Sequence, residues 1–196
     1  PLRLVGSEMC IRDSPMPGRN QAHLMLIFKT APDTSPDTPA LDLLETSLGG
    51  MGGPLFRDLR DKQGLGYTVT AFNRQTSENG YMVFYIGTEP GKMAQAEEGF
   101  KRIINDLHQN LLSEEDVNRG KNQLEGDYYR NMQSLGSRSG EAAALTMEGY
   151  PLSFTKDQIE KSKNVTPEQL REIVKKYLNV DSAYTVSYTH LRAHET

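Results

Sequence analysis

Two apolar runs, Tyr67–Asn73 and Gly80–Thr88, flank a polar segment that ends in Asn79 and Gly80. An Asn-Gly step between runs rich in β-branched and aromatic residues predicts an antiparallel hairpin. A two-stranded hairpin is marginal alone in water, so it must be joined by further strands or covered by helices. Upstream, Ala22–Phe28 is a continuous apolar run too short for a helix, which predicts a strand covered on both faces. After a Pro/Asp/Thr loop, Thr38 and Pro39 form a helix start, cap plus first-turn proline. Leu41, Leu44 and Leu48 then fall on one stripe before Gly49–Gly53 break the chain. Pro54 restarts a short helix carrying Leu55, Phe56 and Leu59.

The second half is helical. Met93, Ala96, Phe100, Ile103, Ile104 and Leu107 keep helical spacing through one element. Ser113 with Asp116 caps the next, whose expected stripe is Val117, Leu124, Tyr128, Met132 and Leu135. A Gly/Ala/Ser stretch to Tyr150 shows no regular pattern. Thr155 with Gln158 and Thr166 with Gln169 predict two more capped helices, the last turning Leu170, Ile173, Val174 and Tyr177 inward. Strand, helices, two strands and then helices predict an α+β two-layer domain, with helices packed on one face of a mainly antiparallel sheet.

The termini are related through the genetic code. A DNA string that encodes Arg3–Ser14 has a reverse complement that encodes Thr185–Thr196 in one frame. This relation, and the string's likeness to a transposase adapter, assigns residues 1–14 and 185–196 to foreign sequence and leaves one domain over residues 15–184. The His190, His194 and Glu195 pattern, which could clamp zinc on a helix, and Cys10, the one cysteine, both fall in these ends. Each sign of charge loses three residues with them, so the net charge stays at −4. A mildly acidic mixed surface gives no reason to expect nucleic acid, and no apolar run has the ~20 residues of a membrane span. Periplasmic and cytoplasmic locations both fit.

Chemistry concentrates at Leu59–Val69. Arg60 ends a helical run, Gly64 and Gly66 turn the chain, and Tyr67 opens a strand. A guanidinium fork beside a phenol can hold a peptide carbonyl and favour the charge that grows on it under attack. Both groups donate and neither attacks, so the corner reads as the positioning half of an active site.

Four ordered blocks, Leu43–Gly50, Pro54–Tyr67, Gly80–Thr88 and Arg119–Gly126, resemble the C-terminal, non-catalytic domain of the insulinase/pitrilysin-type zinc peptidases, the inverzincins. The resemblance covers nearly all of residues 15–184 and implies the metallohydrolase fold shared with processing peptidases. It also implies that Arg60 and Tyr67 contact the substrate peptide near its scissile bond. The family's zinc motif, His-x-x-Glu-His, is absent: outside the terminal segments the histidines are His23, in a strand, and His108, late in a helix. Pro54 also departs from the polar or basic residue found in many relatives. No cofactor is therefore expected in this domain, and the resemblance puts zinc in a partner domain or subunit. Gly49, Gly50, Gly52 and Gly53 follow a helix without a P-loop lysine, so they predict close helix packing or a wall of the peptide chamber rather than a phosphate cradle.

The expected function is that of the substrate-binding domain of a zinc endopeptidase, with a peptide and a zinc-bearing domain or subunit as partners. The alternative is a scaffold homologue that kept the fold without peptidase activity. A third reading, a small-molecule binder, requires an enclosed pocket within this domain.

Overall fold

The computed structural model describes residues 21–189. Strands β1 (Ala22–Thr30), β2 (Gly66–Gln75), β3 (Gly80–Thr88) and β4 (Tyr184–Thr189) form one antiparallel sheet in the order β2-β3-β1-β4. The helices are α1 (Thr38–Leu48), a π-helical turn (Phe56–Lys62), α2 (Met93–Gln109), α3 (Glu114–Asn131), α4 (Leu135–Glu148), α5 (Phe154–Lys163) and α6 (Pro167–Tyr177). Helices α2 and α6 pack on β1, α1 packs on β2, and α3 and α5 lie against α1. The architecture is α+β, with a helical layer covering an antiparallel sheet, as the order of elements predicts.

Burial follows from side-chain alternation. In β1, Ala22, Leu24, Leu26 and Phe28 enter the core, while His23, Met25 and Ile27 on the opposite face are half-buried. The strand expected to be covered on both faces is thus fully covered on one. Phe28, Phe84 and Phe100 join β1, β3 and α2 through edge-to-face contacts at 5.7 and 5.9 Å between ring centroids. Leu41, Leu44 and Leu48 of α1 and Ile104 of α2 have no exposed surface, which anchors both helices in that core.

Several local expectations change. Thr38 is the first residue of α1 rather than its cap, and its hydroxyl donates to the Pro32 and Asp33 carbonyls. The α3 stripe fades after Val117: Leu124, Tyr128 and Met132 are only half-buried, and Leu135 opens a separate, exposed helix. That helix, α4, fills the stretch where the sequence shows no pattern. Ser134 caps it by accepting from the Ser137 amide, and a left-handed Gly149 ends it. Leu145 is its one buried residue, so there was no apolar stripe to read. Helix α5 begins at Phe154, and Ser153 rather than Thr155 stands at its start. Thr166 and Gln169 do form the reciprocal capping box. Residues 185–189, assigned to foreign sequence, lie in β4 beside β1. Cys10, His190, His194 and Glu195 lie outside the described residues.

Candidate functional site

The loop after α1 is built by close backbone approach. A Cβ on Gly53 would collide with the carbonyls of Leu48 and Gly49, so only glycine fits there. Gly49 caps α1 and is buried, whereas Gly50, Met51 and Gly52 are exposed. Arg119 of α3 donates to the carbonyls of Thr46, Ser47 and Gly49 at 3.4, 2.6 and 3.3 Å, filling acceptors that the end of α1 leaves open. The glycine segment predicted as helix packing or chamber wall is therefore packed at its two ends and open at its middle.

The π-helical turn follows. Leu55 and Leu59 sink into the core and fix one side of it. The chain leaves through widened bonds, Gln63 N–H to the Asp58 carbonyl at 3.2 Å and Leu65 N–H to the Leu59 carbonyl at 2.9 Å. Gly64 turns it at a φ of 60°, a left-handed conformation that a side chain would strain. The Thr88 hydroxyl then holds the Leu65 carbonyl.

The outward side of the turn carries three arginine-based contacts of different kinds. Arg57 makes a two-pronged bond to Asp116, at 2.9 and 2.8 Å, and also donates to the Gly52 carbonyl at 2.5 Å. Asp116 is 4% exposed and accepts further bonds from Ser113 and Arg119. Burial would raise its pKa, but the bonds from Arg57, Ser113 and Arg119 outweigh that and hold it below the ordinary carboxylate range. Asp116, read from sequence as part of the cap with Ser113, is thus also the tie between α3, the glycine segment and the π-helical turn. Asp58 is in turn engaged by Arg102 and Gln63.

Arg60 differs. Its guanidinium carbon lies 4.4 Å from the centroid of Phe56 and 4.6 Å from that of Tyr67, so two rings pack against the cation. It has no hydrogen bond or ion pair to any described residue. Tyr67 reaches it because the register of β2 against β3 shifts between Gly66 and Thr68, leaving Tyr67 as the extra residue of a bulge. The tyrosine is 78% exposed. Arg60 and Tyr67, predicted as one corner, are in contact, and Phe56, read from sequence only as part of a helical stripe, is the third member. A cleft of about 270 Å³ beside Tyr67 is lined by Gly64, Gly66, Gly87, Thr88 and Glu89, among others. A larger cavity of about 490 Å³, between α1, α5 and α6, involves none of the corner residues.

Two carboxyls near the far end of β2 were not singled out by the sequence. Asp42 accepts from the Asn73 side chain at 3.0 Å and Glu45 from the Asn73 amide at 2.9 Å. Burial pushes Asp42 up to about 6 and Glu45 up to about 7, against the lowering effect of those bonds.

The described histidines, His23 and His108, do not form a metal site. His23 shares a 2.7 Å hydrogen bond with the Tyr85 hydroxyl, and His108 bonds the Leu178 carbonyl at 2.9 Å from a different element. Among the described residues no group of three His, Cys, Asp or Glu side chains can hold a metal ion, so these residues do not fit a zinc centre. Among them, too, no helix is long and apolar enough to cross a membrane.

Residues 6–124 match the family model described as the peptidase M16 inactive domain. A protein of Streptomyces coelicolor named as a zinc protease is 23% identical over 81% of this chain and 35% of its own length. One from Bacillus subtilis, similarly named, is 28% identical over 60% of this chain and 29% of its own. The chain thus spans about a third of the length of these relatives. The crystal structure of a peptidase M16 inactive domain from Pseudomonas fluorescens superposes with a TM-score of 0.71 at 26% identity, over 86% of this chain and 40% of that one.

Proposed function

The chain belongs to the peptidase M16 inactive-domain family, and from that premise we propose that it is the substrate-binding, non-catalytic part of a zinc-dependent endopeptidase that cleaves peptides in a closed chamber. The described residues do not fit zinc, and the metal, which supplies the hydrolytic chemistry, belongs in this reading to a partner domain or subunit. Arg60 and Tyr67 orient the peptide and donate hydrogen bonds to a carbonyl near the scissile bond.

The observation that carries this reading is the unsatisfied donor set of Arg60. An arginine kept for structure ordinarily ends on a carboxylate or a carbonyl, as Arg57 and Arg119 do here. Arg60 instead packs against two rings, and its N–H donors have no acceptor among the described residues. A scaffold subunit would gain the cation–π contacts from that arrangement but would have no use for the open donors.

Kinetics of the complete enzyme test it. Tyr67→Phe keeps the ring over Arg60 and removes one donor, so kcat should fall by ~10²-fold, more than KM rises, as for loss of one oxyanion donor. Arg60→Lys keeps the charge but not the planar fork and should also slow turnover. Parental kinetics in both variants would favour the scaffold reading.

A further inference from the structure

Resting on that reading, we propose that Phe56, Arg60 and Tyr67 form a receptor for a carboxylate, and that the carboxylate it takes is the new C-terminus made by peptide hydrolysis. Hydrolysis breaks the C–N bond and adds the oxygen of one water to the carbonyl carbon, while the released amine keeps the electron pair of that bond. The two protons of the water end on the amine, which leaves as an ammonium. A neutral amide oxygen thereby becomes one of two equivalent oxygens sharing a full negative charge. The group that Arg60 faces changes from a weak single acceptor to a two-pronged anion.

The geometry favours the second of these. The N–H bonds of a guanidinium lie in its own plane, so Arg60, packed against the Phe56 and Tyr67 rings, donates through its edge. Paired parallel N–H donors in one plane match the two oxygens of a carboxylate and exceed what one carbonyl can use. The rings favour the cation but offer no acceptor, so its charge has no counter-ion among the described residues. Arg57, three residues earlier on the same turn, shows the same fork filled by a carboxylate at 2.9 and 2.8 Å. The exposed Tyr67, whose hydroxyl is also without a described partner, is a further donor of the same corner. Phe56 is a positioning residue here: its ring packs against Arg60, with the guanidinium carbon 4.4 Å from its centroid, and holds that side chain in place. The consequence is that the N-terminal product fragment binds more tightly than the substrate carbonyl it came from, which makes its release slow.

The test is an NMR titration of the chain, following the Arg60 Nε–H and the Tyr67 ring. The probes are acetyl-tetraalanine with a free C-terminus, the same peptide amidated, and an amidated peptide with one internal glutamate. The free acid should bind at least ~10-fold more tightly than its amide, a difference of ~1.4 kcal/mol. Phe56→Leu should abolish that preference and Phe56→Trp should restore it, a rescue expected only if a ring over Arg60 is what matters. Equal binding of acid and amide overturns the carboxylate receptor while leaving peptide binding intact. Equal binding of the internal glutamate and the terminal acid overturns the assignment to the new C-terminus. If no probe moves either signal, this inference and the peptide-binding reading both fail.

Discussion

Arg57 and Arg60 stand three residues apart on one π-helical turn and are used in opposite ways. The Arg57 fork is filled by Asp116 and shares the Gly52 carbonyl, so its donors are spent on holding the turn, the glycine segment and α3 together. The Arg60 fork has no acceptor among the described residues, and the cation is engaged by aromatic rings instead. The same side chain becomes a structural tie where a buried carboxylate faces it and a receptor where aromatic rings do. A stacked guanidinium keeps its orientation without giving up its hydrogen bonds, which is what a binding group requires.

The comparison is broken most forcefully at Asp116. Asp116→Ala leaves Arg57 with only the Gly52 carbonyl and takes one acceptor from Arg119, and should cost roughly 2–4 kcal/mol in urea unfolding, at or below the usual range for a broken buried pair because Arg57 is half exposed. The pH dependence has a definite sign. The folded-state pKa of Asp116 is depressed, so its stabilisation is present above the unfolded carboxylate pKa of ~3.9 and is lost as pH falls through the folded value. Asp116→Ala should therefore flatten the acid limb of the stability profile. A cost below ~1 kcal/mol would mean that the tie between α3 and the turn is not needed.

A smaller effect of opposite sign is expected where buried carboxyls have no strong cationic partner. Asp42 and Glu45 have raised folded-state pKa values of about 6 and about 7. The folded protein therefore binds more protons than the unfolded chain as pH rises from ~4 to ~7, and stability falls across that window. Asp42→Asn and Glu45→Gln keep an acceptor for Asn73 and remove the charge, so each should raise stability at pH 8 by roughly 1–2 kcal/mol and flatten the slope. Thermal melts from pH 5 to 8 decide this; lower melting temperatures for both variants at pH 8 would show that Asn73 needs charged partners.

The smallest effect belongs to the exposed corner. Tyr67→Phe should change unfolding free energy by less than roughly 1 kcal/mol, because the hydroxyl has no described partner and the ring stays over Arg60. A larger loss would place the hydroxyl among the structural contacts.

Legibility in the sequence follows the same division. The hairpin was readable because Asn79 and Gly80 sit between alternating apolar runs, and α2 and α6 because their buried residues recur at helical spacing. Helix α4 was not, since caps and alanines rather than a buried stripe define it. The spacing of Arg60 and Tyr67 around two glycines pointed to one corner. The bulge that turns Tyr67 onto Arg60 leaves no mark in residue type, and Phe56 looked like another helix-face hydrophobe. Asp116 was hidden behind a sufficient local explanation, the cap with Ser113, because its partner Arg57 is remote in sequence.

The most direct test sets Arg57→Lys beside Arg60→Lys, each measured for thermal stability and for peptide binding by the chain. Lysine keeps the charge and loses the fork at both positions. Arg57→Lys should melt lower, with peptide binding of the folded protein close to the parent. Arg60→Lys should melt within a few degrees of the parent and lose most of its peptide binding. If instead Arg60→Lys melts several degrees lower while the folded fraction binds peptide as the parent does, Arg60 is structural and the division between the two arginines is wrong.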